Sequence, residues 1–341
     1  MTVPLSLIER LLHRLHLLPT PIFDAFGAVL FGHALALSVR SGLFEVLDTG
    51  PLSNDDIAHT LGWDPRATRL MTESLVSMGY LSRQGRRYKC SAEGKKWCTR
   101  NSPMYLGNLI RYFETLYPRW DHLEYSLEHG GPEQPYYATF SDHEWEEYVV
   151  AMRDLARLLM PEVLPHLDLG ASPLRLLDLG GSHGLYSMEC CRRHPTLTAT
   201  VMDFAPALRV TSSLVHAEQM GPRIRLAEGD ILTADLPTEQ DVILLFNIIH
   251  GFRPDTNHAL IKRALRSLKR GGTLYILDQI CDQPGRTSLA QSVSLMVGLN
   301  LMNEIGGYAY ATEDVRSWAG GEEHCRAIRL RSPGLVLFRI W

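Results

Sequence analysis

Three glycines, three carboxylates and one histidine mark where this sequence could do chemistry. The stretch from Leu174 to Ser187 reads LRLLDLGGSHGLYS, an apolar run ending in Asp178 and followed by Gly180, Gly181 and Gly184 before helix-compatible residues resume. Strand, glycine turn and helix in that order is how an open α/β sheet presents a nucleotide-sized ligand at its strand ends. Glycine is needed because the backbone must turn sharply and approach the ligand with no Cβ in the way. Alone, such a loop is also the mark of a tight turn with no ligand at all.

The residues downstream of the loop narrow the choice. The next strand, LTATVMD, ends in Asp203, where a carboxylate can accept hydrogen bonds from both hydroxyls of a ribose. Asp230, in GDIL, ends the next unit, where it could face an adenine amino group. Each acid alone is most often a solvated loop residue or a helix cap. Glycine loop, Asp203 and Asp230 on successive strand ends are more specific than any one of them. The strand DVILLFNIIHGF then carries His250 just past its end, where an imidazole can act as a general base near neutral pH. His258 stands eight residues on, without helical i, i+4 spacing or a clear third ligand, so no metal site is expected.

The elements that must position these residues can be read from pattern. Strands are expected at 174–178, 198–203, 223–227, 241–246 and 272–278 with helices between them, which argues a parallel, doubly wound sheet. Two further strands, Ala327–Leu330 and Gly334–Ile340, are expected to be antiparallel. Upstream, residues 22–48 are apolar with helical periodicity. Ser53 caps a helix closing on Gly62, Asp64-Pro65 opens another, and strands at Leu81-Ser82 and Arg87 to Cys90 flank a turn at Gly85. That is the pattern of a winged helix. Its charge does not suit DNA, since Arg66 and Arg69 share their helix with Glu73 and the only local positive cluster is in the wing. A dimerisation role is expected instead. Residues 99–160 form a helical connector rich in aromatics, placed to serve as core or to line an apolar pocket.

Composition agrees. The chain has 341 residues, 45% of them hydrophobic, enough for a full core and two domains. A net charge of −4 with no basic block disfavours nucleic acid as the main partner. The six cysteines are scattered with no CxxC pair, as in reduced thiols of a cytoplasmic protein. Leu5 to Leu18 is apolar but interrupted by charge and histidine, too short to span a bilayer, and no membrane partner is expected.

Taken together these residues resemble class I S-adenosylmethionine-dependent methyltransferases, and over nearly the full length the dimeric small-molecule O-methyltransferases of plant caffeate and bacterial natural-product type. LLDLGGSHG resembles their DxGGGxG loop, VMDFAPAL their ribose-binding strand end, RIRLAEGDIL their GD motif and FNIIHGF their LHDW segment. The resemblance implies a Rossmann-like catalytic domain over 166–341, a connector over 99–165 lining the acceptor site, and a winged-helix dimerisation domain over 1–98. It implies that S-adenosyl-L-methionine is held by Asp178, Gly180, Gly181, Gly184, Asp203, Asp230, Ile231, Phe246 and Asn247. His250 would deprotonate the hydroxyl of a small, aromatic-sized acceptor. MRDLARLLMPEVL nominates Met152 and Asp154 for the acceptor side, together with Phe252, Asn303 and Glu304.

The sequence departs from the family pattern beside the base. Gly251 follows His250 where the family usually has Asp, Phe246 stands where a basic residue is common, and Gly306-Gly307 precedes YAYAT rather than the usual GGxERT. The Glu of that motif normally orients the histidine, and Glu304 is the available substitute. These departures leave open a carbon, nitrogen or sulfur acceptor, or a non-methylating relative. Two rivals have different chemistry: a winged-helix regulator that senses the cofactor, and a nicotinamide dehydrogenase, which the connector and His250 fit less well.

Overall fold

The protein is described by a computed structural model that covers residues 11, 12, 15, 17–170, 174–282 and 288–341. The apolar stretch between residues 5 and 18 lies largely outside them. The chain divides into two compact units, Met1–Tyr117 and Pro118–Trp341.

In the first unit the long apolar stretch is two helices, α1 (Thr20–Arg40) and α2 (Leu43–Asp48), broken at Gly42 with φ +79°. Among the described residues α1 is the one helix long and apolar enough to cross a bilayer by length and composition. A two-residue strand β1 (Leu52–Ser53) leads into α3 (Asn54–Leu61), capped by a reciprocal Ser53–Asp56 box and closed by left-handed Gly62. Asp64 caps α4 (Pro65–Ser77) by accepting the N–H groups of Arg66 and Ala67. The hairpin β2 (Leu81–Gln84) and β3 (Arg87–Cys90) pairs with β1 in the order β1-β3-β2, completing the winged helix. Helices α5 (Ala92–Cys98) and α6 (Gly107–Tyr112) end the unit, and Ile110 packs on its core of Leu43, Phe44, Leu47, Ile57 and Leu75.

The connector expected over 99–165 is therefore divided. Its first part, through α6, is folded with the winged helix because Leu109 and Tyr112 bury there. Its remainder belongs to the second unit: α7 (Leu116–Trp120), which straddles the boundary, then α8 (Leu123–His129) and α9 (Asp142–Val163).

The second unit is built on a seven-stranded sheet in the order β6-β5-β4-β7-β8-β10-β9. Strands β4 (Arg175–Leu179), β5 (Thr198–Asp203), β6 (Ile224–Glu228), β7 (Gln240–Phe246) and β8 (Leu268–Gln279) are parallel, while β9 (Cys325–Arg329) and β10 (Leu335–Ile340) add an antiparallel edge. The intervening helices are α10 (Leu185–Arg193), α11 (Ala205–Ala217), α12 (Pro254–Ser267), α13 (Leu289–Ile305) and α14 (Thr312–Trp318). Every residue of β7 is buried, as expected for a central strand covered on both faces. Leu176, Val242 and Leu244 enter one apolar cluster, and Leu177, Ile243 and Leu245 the opposite one. The order reverses between β4 and β7, so the crevice beyond their carboxyl ends is where such a sheet takes a ligand.

Helix α9 begins with a reciprocal box in which Ser141 Oγ accepts the Glu144 N–H and Glu144 accepts the Ser141 N–H at 2.7 Å. Ser141→Ala is expected to lower unfolding stability by about 1 kcal/mol, measured by urea denaturation.

Candidate active site

The glycine loop runs from β4 into α10, and its geometry explains its composition. Gly180 (φ +66°) and Gly184 (φ +65°) lie in left-handed backbone that side chains disfavour. At Gly181 a Cβ would stand 2.5–2.9 Å from the Asp178 carboxyl group, which is folded beneath the loop and receives the Ser187 hydroxyl at 2.7 Å. Asp178 thus supports the loop from below, and burial pushes its carboxyl up to about 7. His183 is buried as well. Its Nδ1 accepts the Leu185 N–H at 3.0 Å, so the ring is neutral, and burial, then Arg153, pushes it down to about 3.

Asp203 closes the loop onto the next strand. Its Oδ2 accepts the Ser182 N–H at 2.9 Å and its Oδ1 the Phe204 N–H at 2.7 Å. Burial of the carboxylate pushes Asp203 up to about 6, although the residue keeps a partly exposed edge. Asp230 binds its own turn, accepting the Leu232 N–H at 2.8 Å and the Thr233 hydroxyl at 3.3 Å, with Ile231 buried beside it. Tyr137 comes from the connector: its ring lies 5.9 Å from Phe204, and burial, then the charges of Asp230 and Asp203, push its hydroxyl up. Nothing local in the sequence marks Tyr137 among its aromatic neighbours.

His250 lies in a single 3-10 turn, Ile249–Gly251, just past β7. Asn247 makes the bend with φ +55°, a conformation asparagine tolerates, and donates its N–H to Leu277 O at 2.7 Å. The His250 Nδ1 is 2.6 Å from Asp278 Oδ1, and the His250 N–H donates to Asp278 Oδ2 at 3.3 Å. Asp278 has no exposed surface and also accepts the Gln279 N–H at 2.8 Å. A carboxylate only accepts, so the proton sits on Nδ1 and the Nε2 lone pair is free to take another.

One expectation is corrected here. Glu304 does not orient His250: it is paired with Arg119 at 3.1 Å and receives Asn300 at 3.3 Å, while Asp278 holds the imidazole. Phe246 faces the core, edge-on to Tyr186 at 4.9 Å, because a ring at the end of a fully buried strand gains more from apolar contact. The other nominated positions are scattered. Met152 is half-buried on α9, and Asp154 is buried and paired with Arg157 at 3.1 Å. Asn303 is buried, donates to Arg119 O at 3.1 Å, and leaves its own Oδ1 without a partner. Phe252 lines a cleft of about 500 Å³ with Leu232, Gly251, Gly130, Gly131 and Ile305.

The Ser182 hydroxyl in the loop is buried without a partner and Asp203 offers acceptors at the strand end, polar groups that suit a nucleoside, while the bare glycines let Ile248, Asp178 and Thr211 close in on the loop. Among the described residues no cluster of His, Cys, Asp and Glu could hold a metal ion.

Comparisons with known proteins identify the relatives of the chain. Residues 119–321 match the O-methyltransferase domain family. The 3-hydroxy-5-methyl-1-naphthoate 3-O-methyltransferase of Streptomyces sahachiroi is 24% identical over 324 residues, covering 93% of each chain. The N,N-dimethyltransferase OxyT of Streptomyces rimosus is 24% identical over 266 residues, covering 75% of this chain and 76% of its own. In structure, human N-acetylserotonin methyltransferase in complex with SAM superposes with a TM-score of 0.82 at 21% identity, covering 98% of each chain.

The cofactor is S-adenosyl-L-methionine. A carboxylate that is to accept two sugar hydroxyls must be ionised, so if Asp203 fills the role the sequence assigns it, cofactor affinity is expected to fall as pH drops below about 6. The limiting slope is roughly tenfold per pH unit, with proton release on binding near that pH, measured by titration calorimetry in two buffers. Stability of the free protein responds the other way. A carboxyl raised from 3.8 to about 6 on folding stabilises the fold as pH falls between those values.

Proposed function

The chain belongs to the O-methyltransferase domain family, and we propose that it methylates a phenolic or enolic hydroxyl of a small aromatic or natural-product acceptor, with His250 as general base. The observation that carries the reading is the Asp278–His250 pair, which fixes the proton on Nδ1 and leaves Nε2 as the proton acceptor. The bound cofactor supplies a methyl group activated by its sulfonium.

The chain's own residues do the rest. Asp203 would take the ribose hydroxyls, Asp230 and Ile231 the adenine, and the 180–184 backbone the methionine portion. Most of the acceleration comes from holding the acceptor oxygen in line with the bond to be broken. His250 removes the hydroxyl proton, and Asp278 stabilises the imidazolium that results, contributing about 10²–10⁴-fold. Half-buried Met152, the cleft residue Phe252, and α13 with Asn303 and Glu304 are proposed to face the acceptor. The naphthoate acceptor of the Streptomyces sahachiroi relative supports an aromatic one here. The relative named as an N,N-dimethyltransferase favours a second reading with a nitrogen acceptor, for which a neutral amine would need no base.

We assign the first unit to self-association rather than to nucleic acid or a membrane. Ile22, Phe26, Val29 and Leu30 of α1 are exposed and apolar, the surface a second copy would cover. In the wing, Arg83 is paired with Glu73 at 2.9 Å and Arg87 donates to Pro51 O, so two of its four cations, Arg83, Arg86, Arg87 and Lys89, are already engaged within the unit. The six free thiols fit a reducing cytoplasm.

His250→Ala is expected to lower turnover on a hydroxyl acceptor by about 10²–10⁴-fold with cofactor affinity intact. Equal turnover would remove the base assignment, and activity retained only on an amine would favour the second reading. Asp203→Ala should abolish cofactor binding in calorimetry. Phe26→Glu should convert a dimer to monomers in sedimentation velocity, whereas a wild-type monomer would refute the self-association reading.

A further inference from the structure

We propose that Gly307 is a positioning residue for the base: the turn that ends α13 lays side-chain-free backbone against the His250 carbonyl and so keeps the imidazole on Asp278. The proposal rests on His250 being the base. It begins from three restraints on one residue. The His250 ring bonds Asp278 Oδ1 at 2.6 Å, its N–H bonds Asp278 Oδ2 at 3.3 Å, and its carbonyl oxygen accepts the Tyr308 N–H at 2.8 Å. Asp278 holds one side of the turn and residues 307–308 hold the other.

The second hold exists only because residue 307 has no side chain. A Cβ there would fall closer than 3.0 Å to the His250 carbonyl oxygen, a separation real Cβ atoms essentially never show. The obstructing atom is backbone and has no rotamer to swing into. Leu301 Cβ, at 3.2 Å, closes the opposite side, so the added atom can be relieved only by moving the 249–251 turn or the end of α13. A hydrogen bond of 2.6 Å does not survive an ångström-scale shift of the backbone that carries the ring.

The rest of the contact is built to the same tolerance. Gly251 is also bare, with Ile305 Cδ1 at 3.1 Å from where its Cβ would be. Gly306, left-handed at φ +69°, ends α13, and the Gly307 N–H returns to Leu301 O at 3.1 Å, which ties the turn to its helix. The helix that carries Asn303 and Glu304 therefore also sets the main chain of His250. Acceptor and base are referred to one rigid element.

The test reads the ring directly and needs no acceptor. Long-range ¹H–¹⁵N correlations of the full-length protein, on the alkaline side of the histidine titration, report which imidazole nitrogen bears the proton. The His250 signals are assigned by their loss in His250→Gln. The expected wild-type spectrum has His250 fixed with the proton on Nδ1. Asp278→Asn and Gly307→Ala should each replace it by a mixture of tautomers, with S-adenosyl-L-methionine affinity unchanged. The double variant should be no worse than the singles, because both act through one hydrogen bond.

A folded Gly307→Ala protein that keeps the wild-type tautomer overturns the proposal. So does additive loss in the double variant. Should Gly307→Ala fail to fold, an amide-to-ester replacement at Tyr308, introduced as the corresponding α-hydroxy acid, decides, since it removes the N–H on the His250 carbonyl and keeps the side chain: loss of the fixed tautomer supports the proposal and retention refutes it. Undiminished turnover in His250→Ala would instead overturn the base assignment, leaving the tautomer result as it stands.

Discussion

A carboxylate with no contact to water has to be given donors, and Asp278 organises the active site around that need. Burying an isolated carboxylate costs several kcal/mol even after relaxation. Asp278 is offset by three N–H groups, two of them from His250 and one from Gln279. Both its oxygens are committed, so the histidine cannot rotate away without stranding a buried charge. The cost of burying the acid is thus what fixes the imidazole. Strand pairing makes the meeting possible: β7 and β8 run parallel with Phe246 opposite Leu277, so the residues just beyond them emerge side by side.

The cofactor end uses the same physics with a different balance. Asp178 and Asp203 are enclosed with fewer donors, and both are held above the ordinary carboxylate range. Asp178 is locked away under the glycines and serves the loop. Asp203 spends its free-state hydrogen bonds on two backbone N–H groups, which aim it without neutralising it. On the proposed reading, a ligand that brings hydroxyl donors would complete the set.

How much of this was legible in the sequence depends on how far each feature reaches along the chain. Ser53, Gly62, Asp64 and the 180–184 loop act within a few residues, and the structure has each where its local pattern predicts. The placing of Asp203, Asp230 and His250 beyond successive strands was legible because an alternating strand and helix pattern puts strand ends on one edge. Asp278 was not, since its role depends on β8 lying beside β7, a fact of strand order rather than of spacing. Tyr137 was hidden among many aromatics and is singled out only by Phe204, more than sixty residues away in the chain. The connector was legible as helical, but which half folds with which unit depended on whose core its apolar residues could enter.

The departures from the family pattern beside His250 become intelligible as one exchange. A side chain that comes after a catalytic histidine can help to hold it, and so can packed backbone, but the two compete for the same space. Here position 251 is bare, Ile305 fills the space beside it, and the 306–308 turn closes down until its amide reaches the histidine carbonyl. Glu304, freed from the histidine, is buried instead with Arg119, whose guanidinium lies 4.7 Å from the Tyr136 ring. That pair secures α13 to α7, so the helix that presses on the base is itself anchored at its other face. The ring of His250 is held by the Asp278 carboxylate and its main chain by the close fit of a helix end, and it is that second contact that calls for glycine at 307.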